Sequence, residues 1–272
     1  MNPIDPKGTA LITGASAGIG AVYADRLAKR GYDLILVARN RNRLATLAHR
    51  LRLETGRSVE LIVADLSNKA DLAAVETVLR ANTSITTLVN NAGVGATAPL
   101  LTTDVGRTDE MISLNVGALT RLTYAAVPGL VARGGGTVIN IASVVAVAPE
   151  LLNGVYGGTK AFVLAFGQSL QHELADKGVR VQTVLPGATA TEFWDISGKP
   201  LHQLPTAIVM SAEAMVDAAL AGLDQGEPVT IPALADKAEW DRYEAARRAM
   251  SGHLSNAVPA PRYNVVHSRP AA

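Results

Sequence analysis

Cysteine is absent from the 272 residues. That excludes a disulfide scaffold, a thiolate zinc site, an iron–sulfur cluster and a cysteine nucleophile, and leaves the redox compartment open. A charge excess is also absent: 25 Lys+Arg against 24 Asp+Glu give +1. No global field therefore draws nucleic acid or an anionic membrane, and any anion must be held locally. Long apolar runs are missing too. The most apolar stretch, Val138 to Ala148, is interrupted by Asn140 and Ser143 and falls far short of the ~20 residues of a membrane span. The opening Met1-Asn2-Pro3-Ile4-Asp5-Pro6-Lys7-Gly8 lacks the basic stretch and apolar core of a signal peptide. A soluble cytoplasmic protein without membrane or nucleic-acid partners is expected. The histidines, His49, His172, His202, His253 and His267, lack the close pairings of a metal site, and none is assigned.

What the chain does have is alternation. Ala10 to Thr13, Leu34 to Ala38, Val59 to Ala64, Thr87 to Asn90, Thr137 to Ile141, Val179 to Leu185 and Val229 to Ile231 read as strands. Most are apolar on both faces, as in a parallel sheet covered on both sides. Between them Ile19 to Arg30, Arg41 to Glu54, Lys69 to Arg80, Thr108 to Ala132, Val155 to Asp176 and Ala212 to Leu223 carry helical periodicity. Repeated strand–helix alternation predicts a doubly wound α/β sheet with helices on both faces. One domain over residues 1–272 is expected. Ala188 to Met210 is long for a simple connection and reads as a substrate lid at 188–210, with Phe193 and Trp194 exposed. From Asn256 the proline-rich tail is expected to run extended or to fray.

The first strand runs into Thr13-Gly14-Ala15-Ser16-Ala17-Gly18-Ile19-Gly20 and a helix. Glycines there let backbone approach a ligand, and the helix N-terminus offers unpaired N–H groups to a pyrophosphate. Similar turns also exist for packing alone, and the spacing differs from G-x-G-x-x-G. At the end of the second strand, where an acid would take the ribose hydroxyls, stands Arg39. A guanidinium there favours a 2′-phosphate; arginines at a helix start also simply face water.

Tyr156 and Lys160 lie four residues apart and share one helix face. An ammonium beside a phenol stabilises phenolate, although such a pair is also an ordinary surface pair. Ser143 ends the fifth strand, on the side where doubly wound sheets bind ligands, and serves equally as a strand-end cap. Asn115 is disfavoured inside its helix, so a packing bond or a local bend is expected there.

Together these residues resemble the short-chain dehydrogenase/reductase family, from Gly8 to roughly Ile231. The motifs come in order: T-G-x-x-x-G-I-G at Thr13 to Gly20, N-N-A-G at Asn90 to Gly93, Asn115, Ser143, Y-x-x-x-K at Tyr156 to Lys160, and P-G at Pro186 and Gly187. The resemblance implies a Rossmann-type oxidoreductase in which Tyr156 is the general acid or base and Ser143 orients the carbonyl. Lys160 would hold the nicotinamide ribose and lower the Tyr156 pKa, and Asn115 would position a water. The implied cofactor contacts are Gly14, Ser16, Gly18, Ile19, Gly20, Arg39, Asp65, Leu66, Asn91, Ala92, Gly93, Tyr156, Lys160, Pro186, Gly187, and Thr189 or Thr191. Asp65 would meet the adenine. NADP(H) is expected over NAD(H), although the second basic residue that NADP-preferring relatives often carry in the glycine turn is replaced by Ser16 and Ala17.

The residues expected to face the crevice, Val94, Val144, Val145, Leu151, Leu152, Phe193 and Trp194, suit a neutral, largely apolar carbonyl or secondary alcohol. Apolar helix surfaces at Leu122 to Val131 and Ala161 to Phe166 predict a homo-oligomer interface, the family resemblance implies a homodimer or homotetramer, and Pro128 is expected to end or kink its helix. The alternatives are an NAD-dependent dehydrogenase of the same family and a non-catalytic dinucleotide-binding regulator.

Overall fold

The computed structural model describes residues 7–265. In chain order the elements are β1 (Thr9–Thr13), α1 (Gly18–Lys29), β2 (Asp33–Ala38), α2 (Arg41–Thr55), β3 (Val59–Val63), α3 (Lys69–Ala81), β4 (Ile85–Asn90), α4 (Val105–Ile112), α5 (Leu119–Ala132), β5 (Gly136–Ile141), α6 (Gly154–Glu173) and β6 (Val179–Val184). Then come β7 (Thr189–Ala190), α7 (Phe193–Ser197), β8 (Met210–Ser211), α8 (Ala212–Asp224), β9 (Val229–Thr230) and α9 (Lys237–Ala249). Seven parallel strands form one sheet in the order β3-β2-β1-β4-β5-β6-β9, a doubly wound arrangement whose order reverses between β1 and β4. Ligands bind at such a switch point, beyond the carboxyl ends of the strands.

Alternation along each strand divides the core. Ala10, Ile12, Leu34 and Leu36 pack with residues of α1, α2 and α8 on one face, while Leu11, Ile35 and Val37 pack with α3 and α5 on the other. Side-chain caps fix several helix starts: Asn40 for α2, Asn68 for α3, Asn153 for α6 and Ser211 for α8, each worth ~1 kcal/mol. Two buried carboxylates clasp neighbouring helices. Asp25 of α1 meets Arg26, Lys29 and Arg50 at 2.7, 2.8 and 3.0 Å, joining α1 to α2. Glu76 of α3 meets Arg80 and, on α5, Arg121. Burial pushes both carboxyls up, but their cations outweigh it and hold them below the ordinary range.

Two expectations change. The helix expected over Thr108 to Ala132 starts earlier and is interrupted: Ser113–Ala118 forms a wider π-helical turn between α4 and α5. Asn115 lies within this turn with its side chain bonded to the Val94 backbone, and single π-helical turns of this kind gather at functional positions. Pro128 does not end α5, which continues through it to Ala132. By contact, the described residues group into two compact units, one up to Pro232 and one from Ala233 onward. The second contains the polar helix α9, where the Trp240 and Tyr243 rings lie 5.2 Å apart. In the tail, Pro261–Tyr263 makes a short 3-10 turn, and Pro270 lies outside the described residues. Among those residues no helix is long and apolar enough to cross a membrane.

Candidate active site

The glycine turn closes β1 onto α1 at the switch point. Gly14 is left-handed, with φ 64°, and a Cβ there would come within 2.9 Å of the Ala92 Cα. A Cβ at Gly20 would be driven into the Gly14 carbonyl oxygen. The turn thus has room for backbone alone. Helix α1 begins with no side-chain cap and no acidic residue in its first turn, so its leading N–H groups face outward without a built-in partner. Those two features fit a pyrophosphate. Ser16, Gly18 and Ile19 are half-buried within this turn.

Asn91 fastens the turn to β4. Its amide Nδ2 donates to the Thr13 and Gly14 carbonyls at 2.9 and 3.2 Å. The Thr13 hydroxyl accepts the Asn91 and Ala92 backbone N–H groups, both at 3.0 Å, and donates to the Val89 carbonyl. Thr13 is therefore the hub between the two central strands, a role its motif position did not reveal. The Asn91 side chain is engaged inside the protein, which leaves Ala92 and Gly93 to present backbone.

Arg39 projects from the end of β2 with its side chain 74% exposed and its Nη1 4.0 Å from Asp65 at the end of β3. Asp65 turns one oxygen inward to accept the Ser67 N–H, and Leu66 is buried. Arg43, in the first turn of α2, reaches across to Glu192 at 2.6 Å. Between the two candidate threonines, Thr189 is buried and bonded back to the Gly187 carbonyl. Thr191 is half-exposed and sets its methyl over Gly18.

Ser143, Tyr156 and Lys160 converge beyond β5. Asn153 starts α6 by accepting the Val155 and Tyr156 N–H groups and donates to the Ala98 carbonyl at 2.7 Å. That aims the first turn of α6 at the strand end. The Tyr156 hydroxyl is hydrogen-bonded to Ser143, yet burial pushes the phenol up to about 12. Its ring lies 5.8 Å from that of Phe193 and packs with Met111 and Val145, near Val94, Ala96 and Leu152. The Lys160 ammonium donates to the Ile141 carbonyl at 2.9 Å and lies 5.8 Å from the centre of the Tyr156 ring. Burial brings it down to about 8. Desolvation, the larger influence, raises the phenol's value, and the hydrogen bond with Ser143 lowers it.

Asn115 reaches the same place from the π-helical turn. Its Oδ1 accepts the Val94 N–H at 2.9 Å, while Nδ2 donates to the Val94 carbonyl at 2.8 Å and to the Thr159 hydroxyl at 3.1 Å. Thr159 in turn donates to the Tyr156 carbonyl at 2.8 Å. The chain from the loop after β4 through the π-helical turn to α6 is closed by a threonine that no motif singled out.

The expected lid, 188–210, is tied down. Strands β7 and β8 pair in parallel at its base, and the Met210 N–H donates to the Ala188 carbonyl at 2.9 Å. Ser197 accepts both the N–H and the hydroxyl of Thr97 at 3.2 and 2.8 Å. Trp194, expected to be exposed, is buried, with its indole N–H donating to the Thr189 carbonyl at 3.0 Å; a buried indole N–H needs such an acceptor. Val94, Val145, Leu152 and Phe193 do line the Tyr156 side, whereas Leu151 points outward. His202 lines a separate cleft of the lid with Asp195, Leu201 and Val209.

A buried lysine at about pH 8 makes stability depend on pH. Below that value the folded state carries a desolvated ammonium. Between about 8 and the ordinary 10.5 the unfolded chain keeps a proton that the folded one has released, so this residue's contribution to stability rises with pH. Thermal unfolding of the cofactor-free protein should show the parent gaining on Lys160→Met between pH 8 and 10. Parallel melting curves over that range would refute the assignment.

The described residues find clear relatives. A model of the family described as short chain dehydrogenase matches residues 8–200. A structure of a short-chain dehydrogenase from Sphingobium yanoikuyae in complex with NADPH superposes with TM-score 0.91 at 48% identity, covering 94% of this chain and 99% of that one. The bulky-bulky ketone specific alcohol dehydrogenase from Comamonas testosteroni gives 0.86 at 45%, covering 94% and 98%. The very-long-chain 3-oxoacyl-CoA reductase of Anas platyrhynchos is 34% identical over 72% of this chain, which spans 64% of that protein's length. With the ordered motifs gathered around one strand end, and with these matches, the chain belongs to the short-chain dehydrogenase family.

Proposed function

We propose that the protein is an NADP(H)-dependent oxidoreductase that interconverts bulky, uncharged ketones and their secondary alcohols. The observation that carries this reading is the pair of hydrogen-bonded hydroxyls, Ser143 and Tyr156, set in an apolar cage of Met111, Val145, Val94, Leu152 and Phe193. A carbonyl oxygen seated between two such donors is polarised, and the rest of the molecule meets hydrocarbon. The dinucleotide, when bound, supplies the hydride. Gly14, Gly18, Gly20 and the start of α1 would hold its pyrophosphate, and Arg39 its 2′-phosphate. Structural relatives in complex with NADPH and specific for bulky ketones support the same assignment.

With its value near 12, Tyr156 is protonated at neutral pH and gives its proton to the developing alkoxide while Ser143 holds that oxygen. Lys160, close behind, supports the phenolate left after transfer. Its bond to the Ile141 carbonyl fixes it there. Asn115 and Thr159 hold the loop after β4 against α6, so the two hydroxyls keep their spacing.

The experiment is a panel of aryl and branched ketones followed by nicotinamide absorbance with each cofactor. Turnover with NADPH and a bulky ketone is expected; turnover restricted to charged substrates would refute the reading.

A homo-oligomer belongs to the same proposal. Tyr124, on α5, is 69% exposed and stacks on Phe166 of α6 at 6.4 Å, and Phe166 stacks on the partly exposed Phe162 at 5.7 Å. An aromatic stripe of this kind on two adjacent helices supports self-association, and sedimentation velocity measures it.

A further inference from the structure

We propose that Asn140, the asparagine that interrupts the chain's most apolar stretch, is a positioning residue for the proton transfer: its buried amide, tied to Asn90, fixes the end of β5 on which Lys160 and Tyr156 are held. This inference rests on the reading above, in which Tyr156 is the proton donor. Asn140 and Asn90 stand opposite one another in the last pair that joins β5 to β4, and both are buried. The Asn90 Nδ2 donates to the Asn140 Oδ1 and to the Thr123 hydroxyl, each at 2.9 Å, and Thr123 donates to the Leu119 carbonyl within α5. On the other side of Asn140 stands Thr183 of β6, in register and fully buried. A Cβ at Gly167 would collide with the Thr183 hydroxyl, so α6 lays bare backbone against this row. Thr123, Asn90, Asn140 and Thr183 thus form one polar row beneath α5 and α6. The neighbouring row on the same face, Leu88, Val138 and Val181, is hydrocarbon.

Stability does not account for an amide at position 140. Asparagine is depleted in strands, and a buried polar atom left unbonded is destabilising. The Asn140 Nδ2 and the Asn90 Oδ1 have no hydrogen-bond partner among the described residues. Two aliphatic side chains would avoid both penalties. What hydrocarbon cannot supply is a directional bond of fixed length between the strands.

That bond lies where β4 and β5 part. One residue beyond Asn90, Asn91 holds the Thr13 and Gly14 carbonyls of the glycine turn. One residue beyond Asn140, the Ile141 carbonyl takes the Lys160 ammonium at 2.9 Å, and two residues further Ser143 meets the Tyr156 hydroxyl. The Asn90–Asn140 bond therefore sets the cofactor's turn against the proton donor, and a shift there alters their separation while both sets of contacts survive.

The test uses the full chain with a bulky ketone and either NADPH or its 4-deuterated form. Asn140→Leu, close to the amide in size, should lower kcat about 10-fold to 100-fold, the loss that a small misplacement causes, while the NADPH dissociation constant stays within about threefold of the parent's. The deuterium isotope effect on kcat should rise as hydride transfer becomes the slow step. Asn90→Leu/Asn140→Leu puts hydrocarbon on both sides of the lost bond, so its thermal midpoint should match or exceed the parent's while kcat stays low. A kcat that recovers together with the midpoint overturns the positioning role in favour of packing alone, and so does a failure of both variants to fold. An unaltered kcat and isotope effect in Asn140→Leu overturn it and leave the ketone reading intact. Absence of turnover by the parent with every ketone overturns both readings together.

Discussion

Tyr156→Phe is expected to lower kcat by ~10²–10⁴-fold, the range a positioned acid contributes, while the protein folds and binds NADPH within about tenfold of the parent. The ring is what packs against Phe193, Met111 and Val145, and phenylalanine keeps it; only the hydroxyl bonded to Ser143 is lost. The direction of catalysis should split with pH. Burial leaves the phenol protonated until about 12, so it is ready to donate across neutral pH. It is a poor acceptor there, and alcohol oxidation should climb with pH over the range in which ketone reduction stays level or declines. Initial rates in both directions and a fluorescence titration of NADPH check this. A variant reducing ketones at the parental rate would remove Tyr156 from the proton transfer and leave the site without a donor.

Arg39→Asp is expected to weaken NADPH binding by ~10²-fold or more relative to NADH. A charge-assisted bond to a phosphate is worth ~1.5–3 kcal/mol, and the new carboxylate adds repulsion. Arg39 is well suited because its nearest anionic partner, Asp65, stands 4.0 Å away, so the guanidinium does not have to break a close pair to receive a phosphate. Arg43 differs: it is already engaged by Glu192 at 2.6 Å. Dissociation constants for both dinucleotides, at low and high salt, measure the effect. The NADPH value should rise with salt more steeply in the parent than in the variant. Equal losses for both dinucleotides would mean that Arg39 shapes the loop and does not read the phosphate.

The sheet was legible because its strands are apolar on both faces and its helices are not. β1, β2, β5 and β6 fall within a residue or two of the expected runs, and Gly18–Lys29, Arg41–Thr55 and Ala212–Asp224 lie where periodicity placed them. The glycine turn and Ser143 were legible because each sits just past the carboxyl end of a strand, and Tyr156 and Lys160 because their four-residue spacing puts them on one face of α6. Three features depend on contacts outside their own element and left no periodic trace. The π-helical turn carries Asn115, whose side chain bonds Val94, 21 residues away. Trp194 is buried because its indole finds the Thr189 carbonyl. The phenol's acidity follows from burial by Phe193, Met111 and Val145, which come from three separate stretches of chain.

The two-residue ladder of Thr189–Ala190 with Met210–Ser211 brings both ends of the intervening segment side by side, next to the frame that holds the proton donor. Such a segment behaves as a cassette. Its length can change without asking β6 or α8 to move, while Phe193 within it stays against the Tyr156 ring.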